Sequence, residues 1–265
     1  FSWTDKIKDK CDEVGIEYFT SPYDFESVDH VYPFVNVYKI GSGDITWLEI
    51  IEYIASKGKP IMLATGASTM EDVNRAVKVI RKYTDDIILM QCNTNYTGSA
   101  DNFRYINLRV LSTYKQHFPD LVLGLSDHTQ GHATVLGAVA LGAVVFEKHF
   151  TDDNNRIGPD HKFAMTPKTW REMVERANEV YLALGDGIKR VEENEKETVM
   201  VQRRALRFRK DLPKGHILEK KDLFPLRPIP QDGVPPYEID DVIGKVLLKD
   251  VKADDYLRKE DVKDA

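Results

Sequence analysis

Apolar positions along this chain fall into two alternating periods. Short runs rich in apolar residues occur at Ile16–Thr20, Val37–Ile40, Pro60–Thr65, Ile87–Cys92, Leu121–Ser126 and Val144–His149, and each predicts a strand. Between them, apolar residues recur at helical spacing, as in Trp47, Ile50, Ile51 and Ile54, or Val73, Val77 and Ile80. Residues 3–14 read as a helix feeding the first strand. A further helix is predicted over roughly Thr169 to Leu184, with Gly185 placed to end it. Strands alternating with helices of this length predict parallel βαβ units.

Six such strands fit an open doubly wound sheet, or an eight-strand (β/α) barrel of the TIM type from which the first two units are absent. The barrel is favoured because nearly every strand runs into a polar cluster. These are Thr20-Ser21-Pro22, Gly41-Ser42-Gly43-Asp44, Thr65-Gly66, Asn93-Thr94-Asn95, Ser126-Asp127-His128 and Glu147-Lys148-His149. Barrel enzymes build their sites from the C-terminal ends of many strands, whereas an open sheet binds mainly at one switch point.

The pattern changes beyond residue 185. Residues 186–199 form a charged stretch holding Glu192, Glu193, Glu195 and Glu197, which reads as a linker or a solvated helix start. Residues 200–265 read as a small second domain of short strands and turns. Its five prolines between Pro225 and Pro236 exclude a long helix there.

Composition narrows the class a little further. A net charge of −6 speaks against a general nucleic-acid binder, although a few focused cations can still hold an anionic small substrate. No apolar run approaches the roughly 18 residues of a membrane span, and the start shows no signal-peptide pattern. Two isolated cysteines, Cys11 and Cys92, predict no disulfide framework and fit a cytoplasmic protein.

The chemistry gathers on two predicted strands. By the two-residue period, Ser126 and His128 share one strand face, and Glu147 and His149 share another. On neighbouring strands both histidines would enter one bowl, with Ser126 and Glu147 a layer beneath. Two imidazoles with oxygen donors suit a divalent cation such as Mn²⁺, Co²⁺ or Mg²⁺, which would polarise a carbonyl. A lone histidine at a strand end is more often a hydrogen-bonded structural residue; matched positions on consecutive strands reverse that preference. Lys148 should point away from the bowl. Lys39 is a candidate anion anchor, followed by Gly41-Ser42-Gly43, whose N–H groups can approach an oxyanion. Gly158-Pro159-Asp160-His161 lies in the loop after the last strand, above the bowl.

These segments together resemble the sialic acid (N-acetylneuraminate) synthase family. The resemblance rests on Tyr38-Lys39-Ile40-Gly41-Ser42-Gly43-Asp44, Gly124-Leu125-Ser126-Asp127-His128-Thr129, Glu147-Lys148-His149-Phe150-Thr151 and Gly158-Pro159-Asp160-His161, in the family's order. It extends to a C-terminal antifreeze-like (SAF) domain, opened by Arg203-Arg204-Ala205-Leu206 and carrying Val242-Ile243-Gly244-Lys245 near its end. It implies a barrel enzyme that condenses phosphoenolpyruvate with an N-acetylated amino sugar, N-acetylmannosamine or its 6-phosphate. It also implies a domain-swapped homodimer. His128 and His149 would hold the metal, Mn²⁺ above all. Lys39, Thr20, Ser42, Thr94 and Ser126 would contact phosphoenolpyruvate. Glu147, Asp160 and Asp44 would face the sugar or the reacting carbons, with Lys39, Glu147 and Asp160 as the catalytic set. Arg227 would meet the sugar's N-acyl group.

Three positions depart from the family pattern. Ala64 replaces a frequent serine, Asp44 a frequent glutamate, and Arg227 is followed by Pro228-Ile229-Pro230 instead of Pro-Gly. Synthases of legionaminic, pseudaminic or spore-coat sugars share the implied chemistry, and a non-catalytic carbohydrate-binding relic would share the fold. Because the family's first two barrel units are not in this sequence, the 265-residue chain on its own is expected to be inactive.

Overall fold

The computed structural model describes residues 2–265 and divides into a first unit ending at Asp186 and a second, Gly187–Ala265. In the first unit five parallel strands lie side by side in chain order. They are β1 (Tyr38–Ile40), β2 (Ile61–Ala64), β3 (Ile87–Cys92), β4 (Val122–Asp127) and β5 (Val145–Lys148). Helices α1 (Thr4–Val14), α2 (Phe25–Val31), α3 (Leu48–Ala55), α4 (Met70–Ile80), α5 (Val110–His117), α6 (Ala133–Ala140) and α7 (Pro167–Leu184) complete the alternation. Strands in sequential order with helices on one face give a curled half-barrel of the (β/α) class.

Strand alternation divides the labour between two faces. Tyr38, Ile40, Ile61, Leu63, Ile87, Leu89, Leu123 and Leu125 are buried in one core with Ile50, Ile51, Ile54, Val73, Val77 and Ile80 from α3 and α4. Full burial of each such side chain is worth about 1.5–3 kcal/mol, so this face fixes the strand register. Residues of the opposite parity, among them Lys39, Cys92, Ser126 and Glu147, are left for the concave face.

Helix ends follow local chemistry. Thr69 and Asp72 form a reciprocal capping box at the start of α4, and Thr166 and Thr169 do the same at α7. The second box, with Pro167 in the first turn, starts α7 two residues before the position its apolar spacing predicts. Gly15 ends α1 in the left-handed region (φ 73), which costs glycine nothing. No helix among the described residues is long and apolar enough to cross a membrane.

One predicted strand does not form. Ile16–Thr20 has no ladder; its backbone bond to β1 is Lys39 N–H to Thr20 O, 3.3 Å, and Ile16 is 60% exposed. An apolar run supplies a face to bury, but a strand exists only through repeated pairing. The half-barrel therefore has five strands, not six.

In the second unit α8 (Lys196–Gln202) runs across the boundary predicted at residue 200. β6 (Ala205–Phe208) pairs antiparallel with β7 (Leu223–Leu226), and β8 (Val246–Leu247) with β9 (Val262–Lys263). Leu206, Phe208, Leu218, Leu223, Val234, Leu247 and Leu257 make its own core. Beside it, fully buried Asp222 accepts from Nε2 of His216 (2.8 Å) and from Glu219 N–H (3.0 Å). Burial pushes this carboxyl up, but His216 and the Glu219 N–H outweigh it and hold it below 3.8. A depressed carboxylate contributes stability that is complete above about pH 4 and is lost as pH falls through the folded value. Asp222→Asn is therefore expected to lower the urea midpoint at pH 7 and to flatten its decline below about pH 4. An unchanged acid decline would assign it to other carboxylates.

Candidate active site

The register of the sheet sets the site. Cys92 is opposite Ser126, and Ser126 opposite Glu147, so the three stand in one row across β3, β4 and β5. Lys39 reaches over the concave face from β1, at the other edge of the sheet. Its Nζ lies 2.9 Å from Oε2 and 3.1 Å from Oε1 of Glu147. Burial pushes the Glu147 carboxyl up; the Lys39 ammonium and the Ser126 hydroxyl reverse this and hold it below 4.5. Glu147 therefore stands as a carboxylate at neutral pH, against the Lys39 side chain.

The floor beside this pair is closely packed. Ser42 opens the short turn Ser42–Asp44, and its Oγ accepts from Gly66 N–H at 2.8 Å. A Cβ on Gly66 would come within 2.6 Å of Thr94 Cγ2, 2.9 Å of Ser42 Oγ and 3.0 Å of Cys92 Sγ, so only glycine fits. Ser42, Thr94, Cys92 and Ser126 thus surround one small polar floor. Burial pushes the Cys92 thiol up, despite the hydroxyls of Ser42 and Ser126 and the charge of Lys39. Asp44 is half-buried, and desolvation raises its carboxyl.

Above the floor stand the two histidines, with ring centroids 5.1 Å apart. His128 Nδ1 lies 2.9 Å from Asn93 O. A carbonyl only accepts, so Nδ1 carries the proton and the Nε2 lone pair is free. Burial first, and then the neighbouring imidazole, keep His128 below 6.5, hence neutral at pH 7. Asp160 Oδ2 is 3.4 Å from His149 Nδ1 and favours the same tautomer there. Two imidazoles this close are a donor pair fit for a divalent cation. Among the described residues no group of three or more His, Cys, Asp or Glu side chains is placed to hold a metal ion.

The structure thus brings together Lys39, Ser42, Thr94, Ser126, Glu147, His128, His149 and Asp160. Thr20 joins through its backbone bond to Lys39. Arg227 lies just after β7 in the second unit, exposed and with no hydrogen bond or ion pair among the described residues. Three neighbours escaped the sequence reading. Cys92 has the same parity as Thr94, so the alternation that selected Ser126 and His128 would have selected it. Tyr96, whose ring centroid is 4.3 Å from that of His128, and Phe163, 5.1 Å from His149, come from loops and carry no periodic signal. Lys148 turns away from the bowl, fully buried against Asp127 at 2.7 Å.

Residues 1–189 match the NeuB family and residues 203–263 the SAF domain. The chain belongs to the NeuB family. Among its relatives is the N,N'-diacetyllegionaminic acid synthase of Campylobacter jejuni, 35% identical over 254 residues, 94% of this chain and 73% of that protein. The human N-acetylneuraminate-9-phosphate synthase is 30% identical over 251 residues, 94% of this chain and 69% of that protein. The N-acetylneuraminic acid synthetase of Leptospira borgpetersenii superposes with TM-score 0.68 at 27% identity, covering 73% of this chain and 67% of its own. A spore coat polysaccharide biosynthesis protein E of Chromobacterium violaceum, at 22% identity, has TM-score 0.75 over 98% of this chain and 78% of its own, a likeness of fold. This NeuB chain is accordingly an enzyme of the sialic acid synthase type.

Proposed function

We propose that this NeuB enzyme condenses phosphoenolpyruvate with an N-acetylated amino sugar to give a nonulosonic acid and inorganic phosphate. The observation that carries the reading is the Lys39–Glu147 ion pair, its lysine buried and its carboxylate partly open to the bowl, beneath two imidazoles. Lys39, with Ser42, Thr94 and Ser126, offers one cation and three hydroxyls to an anion that bears both carboxylate and phosphate. Glu147, 2.9 Å from Lys39, puts a carboxylate beside whatever that cation holds.

In this mechanism C3 of phosphoenolpyruvate attacks the aldehyde carbon, and the carbonyl oxygen takes up a proton. Positive charge grows at C2, where the Glu147 carboxylate stabilises it. Water then adds at C2, loses a proton, and phosphate leaves as the ketone forms. A divalent cation held by His128 and His149, Mn²⁺ with Co²⁺ or Mg²⁺ as substitutes, would supply polarisation of the aldehyde oxygen. Asp160 orients His149 on the sugar side. Arg227 is assigned to the sugar's N-acyl group, which in a homodimer would be offered by the partner's second domain. The two lone cysteines support a cytoplasmic setting.

N-Acetylmannosamine or its 6-phosphate is the first sugar to test. A second reading, a diacetamido hexose leading to legionaminic acid, is favoured by two relatives named N,N'-diacetyllegionaminic acid synthase, 35% and 33% identical, against 30% for the human enzyme. Phosphate release from phosphoenolpyruvate by the full-length protein, with Mn²⁺ and each sugar in turn, is expected to need both sugar and metal and to stop with chelator. Release with the diacetamido sugar alone would select the second reading. Silence with every sugar would sink the synthase reading and favour a carbohydrate-binding relic.

A further inference from the structure

Asp160 sits in a loop that apolar burial does little to hold. Around it Ile157 is fully exposed, and Arg156 and Pro159 face solvent. Yet Asp160 meets His149 at 3.4 Å, so something else must order the segment. The neck is closed by backbone bonds from Met165 N–H to His149 O (2.7 Å) and from Thr151 N–H to Met165 O (2.9 Å). Inside the neck Thr151, 4% exposed, makes four side-chain contacts. Its Oγ1 is 3.1 Å from Asp153 O, 3.2 Å from Asp153 N, 2.8 Å from His161 Nδ1 and 3.4 Å from Asp152 Oδ1. A hydroxyl donates once, and the Asp153 carbonyl and Asp152 carboxylate only accept; the shorter contact takes the proton to Asp153 O, and Oγ1 accepts from Asp153 N–H and from His161 Nδ1–H. Both the donor and the acceptor capacity of this one hydroxyl are used.

The other side of the loop is stitched as closely. The Asn154 amide donates to His161 O (2.6 Å) and to Ala164 O (2.8 Å). The His161 ring lies against Gly158, where a Cβ would come within 2.7 Å of it. Asp160 is thereby fixed between two anchored points, Gly158 and His161, by polar contacts converging on Thr151 and Asn154.

We propose that Thr151 and His161 are positioning residues that fix the Asp160 carboxylate on the sugar side of the site. The proposal rests on the role given to Asp160 above. Thr151 and His161 themselves act through the loop, and its ordering sets the geometry in which the sugar is met.

The test uses Thr151→Val, which keeps the shape and removes the hydroxyl, and Thr151→Ser, which keeps the hydroxyl. Thr151→Val is expected to lower kcat by between about 10- and 100-fold and to raise KM for the amino sugar, with KM for phosphoenolpyruvate unchanged. Thr151→Ser should restore both kcat and KM for the amino sugar. A second readout needs no turnover: trypsin should cut after exposed Arg156 several-fold faster in Thr151→Val than in wild type or Thr151→Ser. Wild-type kinetics in Thr151→Val would overturn the proposal, and so would an equal rise in both KM values with a lowered Tm, which marks a merely structural residue. If wild type releases no phosphate with any sugar, it is the synthase reading that fails. The clamp then stands or falls on the trypsin comparison, and equal cleavage of the three proteins would overturn it.

Discussion

Replacing Lys148 with methionine is expected to destabilise the first unit by about 3–5 kcal/mol, the usual cost of removing one partner from a buried ion pair. Lys148 and Asp127 side chains are both fully excluded from solvent. The three ammonium protons are all committed, to Asp127 Oδ2 (2.7 Å), Thr129 O (2.6 Å) and Gly131 O (2.8 Å). Asp127 also accepts from the hydroxyls of Thr129 (2.8 Å) and Thr134 (2.6 Å). Burial would push its carboxyl up, but Lys148 and these hydroxyls hold it below 3.8. In Lys148→Met the carboxylate stays buried without its counter-charge, and two carbonyls lose their donor. The double variant Asp127→Asn/Lys148→Met should recover part of the loss, because no charge is then stranded. Urea unfolding at pH 7 measures both. A single variant within about 1 kcal/mol of wild type would mean that water reaches the pair, against its burial. The effect bears on function because His128 follows Asp127 directly, and the braced turn at 127–131 fixes where its ring stands.

That brace shows which parts of the site a sequence can reveal. β1, β2 and β3 end where the polar clusters begin, and β4 and β5 run into theirs, because a buried parallel strand must be apolar and a site must not be. The alternation also separated Lys148 from Glu147 and His149, since the two-residue period is geometric. Ile16–Thr20 failed because apolar content states what can be buried, and pairing is decided by neighbours. The Lys39–Glu147 pair joins residues 108 positions apart, and only the curl of the sheet brings them together. Lys39 as an anion anchor and Glu147 as a bowl residue are each legible in the sequence, but their contact is not. The Thr151–His161 clamp and the tilted contact of Tyr96 with His128 belong to loops, where no period exists. Asp160 was singled out only through its turn chemistry and its motif.

Glu147→Gln is expected to reduce kcat by about 10²–10⁴-fold while leaving KM for phosphoenolpyruvate unchanged or lower. Glutamine keeps the size and one hydrogen-bonding oxygen but removes the charge, so the loss reports electrostatics and not packing. In the ground state the carboxylate opposes Lys39 at 2.9 Å, and its removal frees that cation for the anionic substrate. In the transition state the same carboxylate faces the positive charge growing at C2. Binding and turnover should therefore move in opposite directions, the mark of a group whose stabilisation is reserved for the transition state. Lys39→Met makes the converse test. It removes the anchor and should raise KM for phosphoenolpyruvate steeply, because it also leaves Glu147 facing an anion. A Glu147→Gln enzyme with full kcat would deny the carboxylate any part in the chemistry and reduce the pair to a structural contact. Equal losses in kcat and substrate binding in both variants would instead assign the two residues to one task, holding the substrate.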